Sequence, residues 1–149
     1  MVANRKGDKW LASFVPYLIY RITSHLDRSL RGRLKRSGTN ISRWRVLGIL
    51  KDHGRMNMSQ IVEQTIIEQP TVSRIVDQLE REGLAARETC GEDSRFVQVR
   101  LTQVGETAFK EIYPIAIKHQ NQALMGFEKE EITTLIGYLE RINNNISKQ

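Results

Sequence analysis

Gln69-Pro70-Thr71-Val72-Ser73-Arg74-Ile75-Val76-Asp77-Gln78-Leu79-Glu80-Arg81-Glu82-Gly83-Leu84 is the stretch on which the fold turns. Val72, Ile75, Val76 and Leu79 recur at helical spacing and make one apolar stripe. Pro70 suits a first helical turn, and Gly83 stops the run. Just upstream, Asn57 and Gln60 have the spacing of a capping box that opens a short helix with Ile61 and Val62 inward, ending near Thr65. The pattern predicts two helices joined by a tight turn. Thr71, Arg74, Gln78 and Arg81 follow one another at offsets of three, four and three residues, so they share the face opposite the apolar stripe.

Downstream, residues 84–89 and 95–101 read as two strands joined by a turn containing Gly91, with Val97, Val99 and Leu101 alternating against Phe96, Gln98 and Arg100. Thr102 is placed as the N-cap of a long helix with a kink expected at Pro114, and a last helix carries Ile132, Leu135, Ile136, Leu139 and Ile142. Upstream, Leu18, Ile19, Ile22, Leu26, Leu30 and Leu34 outline a long first helix with Pro16 in its first turn, after a separate short N-terminal turn. Ser37 to Asn40 make a turn, and a second helix carries Trp44, Leu47 and Leu50 as far as Gly54. The terminal helices have apolar stripes and no obvious partner inside a small domain, so a second copy of the chain is the natural way to cover them.

The chain of 149 residues is long enough to bury a core, and 40% hydrophobic with 27% charged residues is ordinary for a globular protein rather than a disordered or membrane-spanning one. No apolar stretch has transmembrane length, and the polar, basic start followed by Pro16, Tyr17 and Arg21 is unlike a signal peptide. A single cysteine, Cys90, excludes an internal disulfide and suits a cytoplasmic location. Through Arg55 there are thirteen Lys and Arg against three Asp and Glu, a balance of +10; beyond it ten face fourteen, a balance of −4. Such a basic excess favours a polyanionic partner, nucleic acid before membrane.

On the fourth helix Gln69, Thr71, Ser73, Arg74 and Gln78 are of residue types that bond base edges or phosphates, and the N-terminal part of a recognition helix makes the base contacts. The same spacing fits an amphipathic helix whose outer face is merely solvated. In the turn between the strands, Arg95 is placed to reach a narrow minor groove while Asp93 orients its guanidinium; a surface ion pair in a hairpin has the same sequence. His25, His53 and His119 lack metal-ligand spacing, and there is no glycine-rich phosphate loop or serine elbow, so neither a metal, a cofactor nor an enzymatic activity is expected.

The order of these elements, with Trp44-Arg45-Val46-Leu47, Gln69-Pro70-Thr71-Val72-Ser73-Arg74, Leu79-Glu80-Arg81-Glu82-Gly83-Leu84, Asp93-Ser94-Arg95 and Leu101-Thr102-Gln103-Val104-Gly105, resembles the MarR family of bacterial transcription regulators over nearly the whole chain. The resemblance implies a mainly α fold with a small two-to-three-stranded β wing. A winged helix-turn-helix over 41–101 would be flanked by dimerisation regions at 1–36 and 102–149. It also implies a homodimer on a pseudo-palindromic double-stranded DNA operator, with Gln69, Thr71, Ser73, Arg74, Asp93 and Arg95 at the DNA.

Members of the family commonly release DNA when a small aromatic acid or phenolic compound binds, and the resemblance extends that expectation here. Tyr17, Arg21 and His25 on adjacent turns of the first helix, with Arg43 and Trp44 opening the second, offer aromatic walls and a cation for a carboxylate. Tyr17 and Trp44 suit a core equally well, and Arg21 a solvated surface. A redox-responsive regulator acting through Cys90 is a further alternative, opposed by Glu88 and Glu92, which disfavour a thiolate nearby. A nonspecific architectural DNA binder is another, favoured by charge but not by the polar face of the fourth helix.

Overall fold

The computed structural model describes residues 10–89 and 97–147. A 3-10 turn at Trp10–Ala12 precedes α1 (Val15–Arg36), α2 (Ile41–His53), α3 (Met58–Thr65) and α4 (Gln69–Arg81). The strands β1 (Ala85–Thr89) and β2 (Val97–Leu101) follow, then α5 (Gln103–Ala123) and α6 (Lys129–Ser147).

Local chemistry sets the boundaries. Pro16 sits in the first turn of α1, where no amide donor is needed. The end of α1 closes as a Schellman motif: the Thr39 amide donates to the Leu34 carbonyl at 3.1 Å and the Gly38 amide to Lys35 at 3.2 Å, with Gly38 at φ 70°. Asn40 then caps α2, its side chain accepting from the Arg43 amide at 2.9 Å. The expected capping box is present, with Gln60 and Asn57 each donating a backbone amide to the other's side chain at 2.9 Å. A second Schellman motif ends α4, where Leu84 donates to Leu79 at 2.8 Å and Gly83 to Glu80 at 2.9 Å. Thr102 caps α5 by accepting from the Gly105 amide at 3.1 Å, and its own hydroxyl donates to the Gly83 carbonyl at 2.5 Å. The helix runs through Pro114 as one element.

The strands pair antiparallel with Ala85 opposite Leu101 and Thr89 opposite Val97. The first strand begins one residue later than expected, because Leu84 is held by the helix-ending bond to Leu79. In the place of a third strand there is one bridge: Met56 donates to Val99 at 3.0 Å and Val99 to Met56 at 2.7 Å.

The chain divides into two compact units, residues 1–116 and 117–149. Within the first, Leu34 of α1, Val46, Leu47 and Leu50 of α2, Ile61 of α3, Val72, Val76 and Leu79 of α4 and Val99 of β2 are sealed from solvent in one core, which Ile112 of α5 joins. Each such side chain stabilises the fold by about 1.5–3 kcal/mol on burial, so the helix pair is held rigidly behind its exposed face. Trp44 stacks on Phe109 with centroids 5.2 Å apart and planes 8° from parallel, which ties α5 to α2. No helix of the described residues is long and apolar enough to cross a membrane.

Candidate nucleic-acid interface

The turn between α3 and α4 is set by Ile66 in the left-handed conformation at φ 53°, after which Pro70 starts α4. Burial of Val72, Val76 and Leu79 turns the opposite face outward. Gln69, Arg74 and Gln78 are exposed there, and Thr71 and Ser73 are half-buried. Thr71, Arg74 and Gln78 line one cavity together with the end of α1 and the start of α2; Gln69 and Ser73 do not line it. Asp93 and Arg95, and Cys90 with them, lie outside the described residues.

The carboxylates of this helix would repel DNA phosphates, but most are engaged. Arg87 of β1 donates to Asp77 Oδ1 and to Glu80 Oε2, both at 2.6 Å. Arg43 of α2 donates from Nη1 to Glu82 Oε1 at 2.9 Å and from Nη2 to Glu82 Oε2, and Gln78 adds a bond to Glu82 at 3.0 Å. Hydrogen bonding from Arg43, opposed by desolvation and aided by Gln78, holds the Glu82 carboxyl below its ordinary range. The acidic residues of the helix segment are thus turned into struts that fix α4 against α2 and β1. Sequence reading named Arg43 as a ligand cation; the fold places its guanidinium on Glu82.

The other residues named for a small molecule are divided between two depressions. Tyr17 and Arg21 line one of about 420 Å3 with Trp10, Leu11 and Ala12, and the Arg21 guanidinium lies 5.8 Å from the Tyr17 ring centre. Trp44 lines another of about 540 Å3 with Arg45, Gly48, Ile49 and Gln64 to Ile66. His25 is exposed and lines neither. Arg31, Lys35 and Arg87 escaped sequence reading as contributors near α4; for the first two the signal was present, one helical turn apart in the basic end of α1.

Residues 37–95 match the model of a family described as the MarR family. The structure of a MarR family transcriptional regulator from Silicibacter pomeroyi superposes with a TM-score of 0.87 at 30% identity, covering 99% of both chains. The chain belongs to the MarR family. It is therefore a winged helix-turn-helix transcription regulator that binds DNA, not an enzyme. A further relative is the HTH-type transcriptional repressor IacR of Pseudomonas putida, 26% identical over 130 residues, which span 87% of this chain and 78% of IacR. The fold is shared as well with BpsR of Bordetella bronchiseptica, whose DNA binding is regulated by 6-hydroxynicotinic acid. That likeness has a TM-score of 0.76 at 24% identity, covering 87% of this chain and 98% of BpsR.

Proposed function

We propose that this MarR-family protein is a cytoplasmic, homodimeric, ligand-responsive repressor of transcription that binds a pseudo-palindromic operator. The observation that carries the reading is the outer face of α4, where Thr71, Arg74 and Gln78 stand together while Arg87 and Arg43 occupy the helix segment's carboxylates. Gln69, Thr71, Ser73, Arg74 and Gln78 read the major groove, and Arg95, oriented by Asp93, reads the minor groove.

Residues 41–101 form the DNA-binding domain, and residues 1–36 and 102–149 the dimerisation regions. Supporting the dimer, Trp10, Phe14 and Ile22 in the first unit and Ile136, Leu139 and Ile146 in the second are exposed apolar side chains that a second copy would cover. The effector is a small aromatic acid or phenol seated against Tyr17 and Arg21 or, in a separate depression, against Trp44, with His25 lining neither and Arg43 engaged by Glu82. The regulation of the similarly folded BpsR by 6-hydroxynicotinic acid supports this reading. Effector binding favours a separation of the two recognition helices that no longer fits successive grooves.

Selection from a random duplex pool tests this. The expected result is an inverted repeat with half-sites about one helical turn apart, bound at least about a thousandfold better than random DNA. Enrichment of no sequence at all would reject the operator-reading role.

A further inference from the structure

A cavity of about 460 Å3 opens where the end of α1, the start of α2 and the outer face of α4 meet. Its lining includes Arg31 and Lys35 from α1 and Arg74 from α4, and none of its ten residues is acidic. Elsewhere in this unit Arg43, Arg45, Lys51, Arg55, Arg87 and Arg100 each hold a carboxylate. Arg31, Lys35 and Arg74 hold none among the described residues. Three like charges gathered around one concavity without counter-charge are an arrangement that an anion relieves.

Three further donors lie at the same place. Asn40 accepts the Arg43 amide and its carbonyl accepts Trp44, so the Ile41 and Ser42 amides in the first turn of the 13-residue α2 have no acceptor within the helix. Thr39 lines the cavity, is only 8% exposed, and its Oγ1 is buried without a hydrogen-bond partner. A buried hydroxyl left unpaired is costly, and such groups are few in native proteins. The Schellman turn uses the Thr39 amide and leaves the hydroxyl without a partner. Ile41 and Ile75 add apolar wall, so the site is larger and less polar than a single inorganic ion requires.

We infer that this cavity binds a small organic oxyanion, a phosphate monoester or carboxylate, which competes sterically with DNA for Thr71 and Arg74. The oxyanion takes charge-assisted bonds from Arg31, Lys35 and Arg74, and bonds from the Thr39 hydroxyl and the first amides of α2. Occupancy places a negative ligand against the groove-reading face, so each subunit is blocked directly, without a change in the spacing of recognition helices. The competition half of this inference rests on the operator-reading role of α4; the binding half does not.

The test uses the full-length protein, with inorganic phosphate and phenyl phosphate as probes at constant ionic strength and pH, chloride balancing. Binding is followed by amide NMR shifts, and DNA binding by fluorescence anisotropy on the selected duplex. Saturable shifts at Ile41 and Ser42 are expected, with half-saturation raised at least about tenfold in Arg31→Ala/Lys35→Ala. Thr39→Val, which keeps side-chain shape, is expected to weaken probe binding while raising the melting temperature, a pairing that a merely structural hydroxyl would not produce.

Phenyl phosphate is then expected to displace the duplex from the wild type and not from Arg31→Ala/Lys35→Ala. Absence of saturable probe binding, with the double variant weakening DNA binding alone, would mean that the cavity holds only a backbone phosphate of DNA, and would overturn the inference. Saturable binding with no displacement overturns the competition, and failure of the duplex selection itself is seen separately because probe binding is read without DNA.

Discussion

Arg43, in the first turn of α2, and Glu82, directly after α4, form a two-pronged ion pair across 39 residues of sequence, with Nη1 to Oε1 at 2.9 Å. The Arg43 side chain is mostly buried whereas Glu82 remains partly exposed. Because Arg43, ahead of Gln78, holds the carboxyl below its ordinary value of 4.5, the folded state prefers Glu82 ionised more than the unfolded chain does. The stabilisation is fully present above about pH 4.5 and is lost as pH falls through the lower, folded-state value. Thermal melting of wild type and Glu82→Gln from pH 3 to 7 is expected to show a gap that is widest above pH 4.5 and closes in acid. A gap independent of pH would show that shape, not charge, decides.

Arg87 of β1 neutralises two carboxylates of α4. Removing it in Arg87→Ala bares Asp77 and Glu80 on α4, so operator affinity is expected to fall, most steeply at low salt where repulsion is least screened. Asp77→Asn/Glu80→Gln in the same background is expected to restore most of it. Loss that these neutralising changes do not repair would assign Arg87 a purely architectural role.

Ile66 adopts the left-handed conformation while 89% exposed, a costly choice for a β-branched residue with little burial in return. Ile66→Asn is expected to relieve about 1 kcal/mol of backbone strain and raise the melting temperature by about 2–4 °C, measured by circular dichroism. An unchanged or lower midpoint would mean that the side chain has packing value in the turn.

Gly105 lets the first turn of α5 lie against the end of the recognition segment. An added Cβ would run into the backbone carbonyl of Leu84 and press on Leu101. That carbonyl also accepts the Thr102 amide at 3.0 Å, so it is held in place. Gly105→Ala is expected to destabilise by about 1–3 kcal/mol, read by urea unfolding, whereas Gly48→Ala, with only Phe109 near at 3.9 Å, makes a mild control.

Arg74→Ala is expected to weaken operator binding by about 5–150-fold, as loss of a base-reading contact does, and to affect random DNA much less. Arg95→Ala is expected to weaken operator binding with the dimer intact by sedimentation. Equal losses on operator and random duplex would move Arg74 from base reading to phosphate contact.

Helix boundaries were legible where one short motif carries the local physics. Asn57 with Gln60, Pro70, Gly83 and Thr102 each satisfy or remove donors within a few residues, so their effect is written in adjacent positions. The stripe of Val72, Val76 and Leu79 likewise announced which face of α4 turns inward. Periodicity also selected Thr71, Arg74 and Gln78 as neighbours, and they do share a cavity.

Residue type and spacing along the chain therefore determined the elements, the buried face and the family. Tertiary structure decided which charges oppose which. Arg43 and Trp44 are adjacent in sequence, yet one reaches Glu82 and the other stacks on Phe109. Arg31 and Lys35 line one cavity with Arg74, although 39 or more residues separate them from it in sequence. Caps and stripes are short-range, whereas ion pairs and cavities depend on the packing angles of helices distant in sequence, which no single segment encodes.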